Sequence, residues 1–217
     1  MKVFLGFIPI EKYTGLALTE IIVEQLSAHG LSLENIREQG CDNGSNMKAI
    51  NQQIQAEQQA AQDYLSMATN FLHPCLSRPG AGGFFMKMYK EELDHMQRLI
   101  EYQLIRGGAI IISGLNAPTV NENLTLYCAF KQSLNMEKSV TEMLENIVKV
   151  AESVNDYQCA DFITSVYLAE QMASINELSH HITNMSKICG DEHAVYHYDQ
   201  RLLKSYPHPF NFKMPGN

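Results

Sequence analysis

The chain has 217 residues, 45% apolar and 18% charged, a balance that suits one sizeable folded core and excludes a disordered tail. Sixteen Lys and Arg stand against 24 Asp and Glu, and the resulting charge of −8 attracts cations, repels phosphate backbones and argues against a nucleic-acid partner. No apolar run approaches the roughly 20 residues needed to cross a bilayer, so no membrane partner is expected. Val3 to Ile10, rich in Val, Ile and Phe, reads as a strand, and Thr19 to His29 has helical spacing in Ile22, Val23 and Leu26. The turn formers Gly40-Cys41-Asp42-Asn43-Gly44-Ser45-Asn46 hold no long regular element and mark a domain boundary near residue 47. Beyond it the texture changes to long helical stretches, predicted at about 48–73, 81–106, 121–153 and 156–187, with a short helix near 192–204. Pro74 and Pro79-Gly80 separate the first two, Gly107-Gly108 stops the second, Asn121 is placed to cap the third, and Asn155-Asp156 mark the next turn. Three short loops and one long connection between the second and third helices describe an all-α antiparallel four-helix bundle with a crossover and a short fifth helix.

Five cysteines, Cys41, Cys75, Cys128, Cys159 and Cys189, are odd in number and form no CxxC pair, so neither a disulfide framework nor a zinc finger is encoded. A reducing, cytoplasmic setting is the expectation. Glu11 and Lys12 interrupt the opening apolar segment, and no small-residue cleavage site follows it, so a secretory leader is not expected.

Each long helix carries a polar residue on its apolar face. In the first, Ile50, Ile54, Ala61, Leu65, Ala68 and Leu72 form a stripe that contains Glu57, with Tyr64 beside it. In the second, Glu92 and His95 lie one turn apart between Phe85, Met88, Leu99 and Tyr102. Glu137 sits among Phe130, Leu134, Leu144, Val148 and Ala151, and Gln171 falls in line with Leu168, Ile175, Leu178 and Ile182, with Glu170 alongside. A buried carboxylate without a partner costs several kcal/mol or takes up a proton, so several in one core imply a compensating cation. Carboxylate oxygens with one imidazole suit iron or manganese better than zinc. Gln171, where a symmetric site would have another charged ligand, leaves one metal position weakly held.

Ala49-Ile50-Asn51-Gln52-Gln53-Ile54, Tyr64-Leu65-Ser66-Met67, Glu91-Glu92-Leu93-Asp94-His95, Arg106-Gly107-Gly108, Met136-Glu137-Lys138, Asp161-Phe162-Ile163 and Tyr167-Leu168-Ala169-Glu170-Gln171 make residues 48–217 resemble ferritin of the heavy-chain, ferroxidase-competent type. The resemblance implies that Glu57, Glu92 and His95 hold a first iron and that Glu92 bridges to a second held by Glu137. It further implies that Gln171 orients water or oxygen and that Tyr64 hydrogen-bonds into the site and serves as a transient electron donor. The implied activity is oxidation of Fe(II) by dioxygen at a diiron centre, with hydrated ferric oxide stored in the cavity of a 24-mer shell of identical or related subunits. Asp161 matches an acid of the threefold entry channel, but Thr164 stands where a second acid is usual and Val148 where a histidine is. Glu91 and Asp94 match cavity-facing nucleation acids, whereas the next such position is Gln97.

Phe4-Leu5-Gly6-Phe7-Ile8-Pro9, Leu31-Ser32-Leu33 and Gly40-Cys41-Asp42-Asn43-Gly44-Ser45-Asn46-Met47 make residues 1–47 resemble a fragment of the ribonuclease-H-like region of hAT-type transposases. There Asp42 would be a catalytic metal ligand, but one acid cannot bind two metals and no later segment supplies the rest. A non-functional β/α extension ahead of the 48–217 domain is therefore expected. Two alternatives to a ferroxidase stand: a catalytically weak structural subunit that co-assembles with an active one, and a transposase-derived DNA-binding protein. The second lacks a basic patch, because Glu11, Glu20, Glu24, Glu34, Glu38 and Asp42 outnumber Lys2, Lys12 and Arg37.

Overall fold

The computed structural model describes residues 23–24, 27–28, 44–118 and 124–210. The expected strand at Val3 to Ile10 and Asp42 lie outside them; of the expected helix at Thr19 to His29, the described Val23, Glu24, Ser27 and Ala28 are helical. The chain divides into two units, Met1–Gly40 and Cys41–Asn217. Within the second, α1 (Ser45–Leu72) and α2 (Pro79–Ile105) form one hairpin. A long crossover leads to α3 (Leu126–Ser153), which packs on α4 (Tyr157–Ile163), a π-helical turn (Thr164–Leu168) and α5 (Ala169–Ser186). The short α6 (Glu192–Ser205) lies against α2. Among the described residues there is no strand, and no helix is long and apolar enough to cross a membrane.

Local chemistry sets most helix ends. α2 stops in a Schellman turn: Gly107 takes φ +75°, its N–H donates to Leu104 O, and Gly108 N–H reaches back to Gln103 O at 2.9 Å. α3 ends the same way on Asn155 (φ 58°), with Asp156 N–H donating to Ala151 O at 2.8 Å. α3 starts at Leu126, later than the sequence pattern suggests, and Thr125 caps it through its hydroxyl to Cys128 N–H, while Asn121, the expected cap, lies outside the described residues. Pro79 occupies the first turn of α2, where its missing N–H costs nothing. No local side chain caps that helix. Buried Asp199 of α6 does so instead, accepting from Ala81 N–H at 2.8 Å. The approach is so close that a Cβ on Gly80 would lie 2.1 Å from Asp199 O.

The crossover is tied to α1 by side-chain amides one turn apart. Asn51 bonds Ala109 O and Ile111 N–H, Gln55 reaches Gly114 O, and Gln59 bonds both backbone groups of Asn116. At the bundle end, Arg106 grips Asp156 with two nitrogens, at 2.9 and 2.8 Å, and Asn46 donates to the same carboxylate. The starts of α1 and α4 and the end of α2 are thereby locked together.

The helix expected to run unbroken over 156–187 contains the π turn. Cys159, Ile163, Tyr167 and Gln171 are all buried at strict four-residue spacing. Such spacing drifts by about 40° per step around a 3.6-residue helix; the wider turn falls within this run, although α1 buries Ala49, Gln53, Glu57 and Ala61 at the same spacing without one. The core forms two clusters. One gathers Tyr64, Met67, Phe71, Phe84, Phe85 and Phe130; the other gathers Ile50, Ile54, Leu99, Leu144, Ile147 and Ile163. Phe71 and Phe84 pack on Phe85 with ring centroids 5.5 and 5.2 Å apart, contacts that contribute about 0.5–1.5 kcal/mol each beyond area burial. Tyr64 and Phe71 fill the places that periodicity gave to Leu65 and Leu72, which are only half-buried.

Candidate metal centre

Between the two apolar clusters lies a polar layer drawn from every long rod of the bundle. Glu57 of α1 is 0% exposed, Glu92 of α2 and Glu137 of α3 are each 2% exposed, and Gln171 of α5 and His95 of α2 are also buried. Glu57, Glu92 and His95 each offer a ligand atom, all within 4.8 Å of one another. Both residues from α2 reach the same point because a three-residue step places them on one helix face.

Each acid is oriented by a neighbour. Gln53, one turn before Glu57, donates to Glu57 Oε1 at 2.7 Å. Tyr64 donates its hydroxyl to Glu137 Oε1. His95 Nδ1 stands 3.4 Å from Glu92 Oε2, and its Nε2 stands 3.3 Å from Glu170 Oε2. Tyr167 donates to the His95 backbone carbonyl at 3.1 Å and sets its ring edge-on to the imidazole. Gln53, Tyr167 and Glu170 were not read as site residues from sequence. Gln53 and Tyr167 each lie four residues from a site residue on the same face, and Glu170 directly precedes Gln171.

Charge in this layer is uncompensated. Among the described residues, no Lys or Arg pairs with Glu57, Glu92 or Glu137. Burial and then the Glu92 charge hold the Glu57 carboxyl well above the usual range. Burial and then the Glu137 charge push Glu92 up to about 8. Burial also raises Glu137, against the lowering effect of Tyr64 and Gln171. The Tyr64 phenol is raised by burial and by the charges of Glu137 and Glu92, so it stays protonated and donates. Glu57 Oε2, Glu92 Oε2, His95 Nδ1 and both amide atoms of Gln171 lack a hydrogen-bond partner. They make up most of the buried polar atoms left unpaired among the described residues. Three oxygen acids, one imidazole and a carboxamide with lone pairs to spare fit iron or manganese better than zinc.

The other expected residues lie elsewhere. Glu91 is half-buried and paired with Lys87 at 3.1 Å, and exposed Asp94 is paired with Arg98 at 2.6 Å. Both line a groove of about 610 Å³ that also touches His95 and Glu170. Asp161, in the last turn of α4, and Thr164, at the start of the π turn, are both exposed and apart from the buried layer, and Val148 is half-buried.

Residues 47–188 match the model of the ferritin-like domain. The chain belongs to the ferritin family. It is 38% identical over 160 residues to a chloroplastic ferritin of Malus baccata var. xiaojinensis, a match covering 71% of this chain and 63% of that protein. This ferritin chain therefore spans a little under two thirds of that relative's length. Over 156 residues it is 38% identical to the soma ferritin of Lymnaea stagnalis, covering 72% of this chain and 89% of the relative. Against a ferritin-2 heavy chain of Schistosoma mansoni it is 37% identical over 155 residues, 71% of this chain and 90% of that one. Residues 1–52 match a second model, described as a ZMYM1/FAM200 RNase-like domain, in keeping with the likeness of that segment to the ribonuclease-H-like region of transposases.

Proposed function

We propose that this ferritin subunit stores and detoxifies iron by oxidising Fe(II) with dioxygen inside its own bundle. The observation that carries the proposal is the buried, unpaired donor set of Glu57, Glu92, His95, Glu137 and Gln171. Glu57, Glu92 and His95 would hold one Fe(II). Glu92, which feels the Glu137 charge more strongly than that of any other residue, would face a second Fe(II) on Glu137. The Fe(II) ions are substrate, and each gives one electron to dioxygen.

The residues prepare the layer for that exchange. Glu57 and Glu92 hold protons before the cation arrives and release them as it takes their place. Gln53 fixes the Glu57 carboxylate so that its second oxygen stays open toward Glu92 and His95. Tyr64, hydrogen-bonded to Glu137, can pass its proton to that carboxylate if it gives up an electron. Gln171, being neutral, lowers the charge at the second position and so favours release of Fe(III) over its retention. The groove beside His95 and Glu170, lined by Glu91 and Asp94, offers oxidised iron a carboxylate-bearing route outward toward ferric oxide deposition.

Assembly into a 24-mer shell with like or related subunits, a cytoplasmic setting and an extension (1–47) without activity of its own complete the proposal. The four described cysteines are free thiols, as a reducing compartment maintains. Stopped-flow oxidation of Fe(II) by the full chain is the test. The parent should consume two Fe(II) per chain in a fast phase that a Glu92→Ala, His95→Ala double variant loses. Unchanged rates in the variant would remove the proposed centre and favour a structural subunit that depends on an active partner.

A further inference from the structure

We propose that Tyr206 returns electrons to Tyr64 along a relay of packed rings, drawing them from Fe(II) in the groove beside α2. The inference rests on the reading of the buried layer as an iron-oxidising centre with Tyr64 as its electron donor. The Tyr64 ring stacks on Phe85 with centroids 6.3 Å apart, Phe85 meets Phe84 edge-on at 5.2 Å, and Phe84 meets Tyr206 edge-on at 5.1 Å. Tyr64, Phe84 and Phe85 are all 0% exposed, so the path between the two tyrosines runs through packed rings. Tyr206 itself is half-buried and lines the groove of about 610 Å³ that also carries Glu91 and Asp94.

Both ends of the relay have a base for the phenolic proton. A phenol that loses an electron must shed its proton as well, which needs an acceptor within hydrogen-bond reach. Tyr64 donates to Glu137, and Tyr206 donates to Glu177. His181, with Tyr206 and Lys87, holds the Glu177 carboxyl down to about 2, so it is ionised and open to a proton. The exchange balances. Tyr206 loses one electron to the Tyr64 radical and its proton to Glu177, while Tyr64 gains that electron and takes back the proton left on Glu137. One Fe(II) in the groove then becomes Fe(III) as Tyr206 regains its electron, and Glu177 returns the proton. Tyr198, hydrogen-bonded to His181 at 2.7 Å, is also reached from Phe84, but it lies outside the groove's lining and so away from that supply.

Rapid freeze-quench electron paramagnetic resonance of the full chain tests the relay, with excess Fe(II) mixed into oxygenated buffer and Fe(II) oxidation followed in parallel by stopped flow. The parent should show a short-lived tyrosyl radical that Tyr64→Phe lacks. Tyr206→Phe keeps the ring and removes the hydroxyl, whereas Glu177→Gln removes the base. Each should lengthen the life of the radical at least about tenfold, since a positioned base alone typically contributes about 10²–10⁴-fold. Tyr198→Phe should leave it as in the parent. Equal lifetimes in the parent and Tyr206→Phe, a lengthening in Tyr198→Phe alone, or a fast Fe(II) phase in the parent without any radical would each overturn the relay while leaving the role of the buried layer intact. Absence of the fast phase from the parent would overturn both.

Discussion

Replacing Glu92 by glutamine is expected to make the metal-free protein more stable at neutral pH while weakening its cation binding. Glu92 is 2% exposed, and burial with the Glu137 charge lifts its carboxyl to about 8. In the unfolded chain the same group ionises near pH 4.3, roughly. The folded state therefore keeps a proton that the unfolded state releases. Stability on this account is full below about pH 4.3 and falls as pH rises toward the folded value, by about 1.36 kcal/mol per unit. Between pH 4.3 and 7 the loss is on the order of 4 kcal/mol, which corresponds to about 7–15 °C in Tm for a chain of this size. Glutamine has no proton to lose and escapes the penalty. Calorimetric melting in a chelator should place Glu92→Gln about 7–15 °C above the parent at pH 7 and level with it at pH 4.5. A saturating divalent cation should close the gap at pH 7, because it stabilises the ionised parent and not the amide. A parent Tm that stays flat between pH 4.5 and 7, or a variant no more stable than the parent at pH 7, would refute the reasoning.

Cation binding at pH 7 should release at least one proton per chain, since Glu57 and Glu92 are held protonated; calorimetry in buffers of different ionisation enthalpy reads this, and no release would contradict it. Asp199→Ala should cost about 1–2 kcal/mol in urea unfolding by leaving Ala81 N–H without its acceptor. Asp199→Asn, which keeps an acceptor, should cost less, and equal losses would argue against a cap joining α6 to α2. Thr164→Glu should speed iron uptake at low Fe(II) by restoring acid beside Asp161, with the oxidation step unchanged. If neither Thr164→Glu nor Asp161→Ala alters uptake, iron enters elsewhere.

The candidate centre was legible because a polar residue inside an apolar stripe contradicts its surroundings, and Glu57, Glu92, Glu137 and Gln171 do so near the middle of successive rods. Helix stops were legible where Gly107 and Asn155 supply the backbone geometry that a Schellman turn requires. Periodicity could not choose between Tyr64 and Leu65, or between Phe71 and Leu72, since both members of each pair are apolar. Packing against Phe85 makes the choice in the fold. Asp199 was silent in the sequence because the N–H it caps is 118 residues away. The crossover's path was equally hidden: Asn51, Gln55 and Gln59 read as an ordinary polar face until their amides meet the backbone at Ala109, Gly114 and Asn116. The π turn was not legible in the buried series Cys159, Ile163, Tyr167 and Gln171, since Ala49, Gln53, Glu57 and Ala61 are buried at the same spacing in the unbroken α1.

Anomalous diffraction from crystals soaked anaerobically in Fe(II) tests the central claim most directly, because it locates iron without relying on turnover. Two peaks should appear within the bundle, one among Glu57, Glu92 and His95 and a weaker one between Glu92 and Glu137, and both should vanish in Glu92→Ala, His95→Ala. Iron found only at surface carboxylates, with the buried layer empty at saturating Fe(II), would contradict the account.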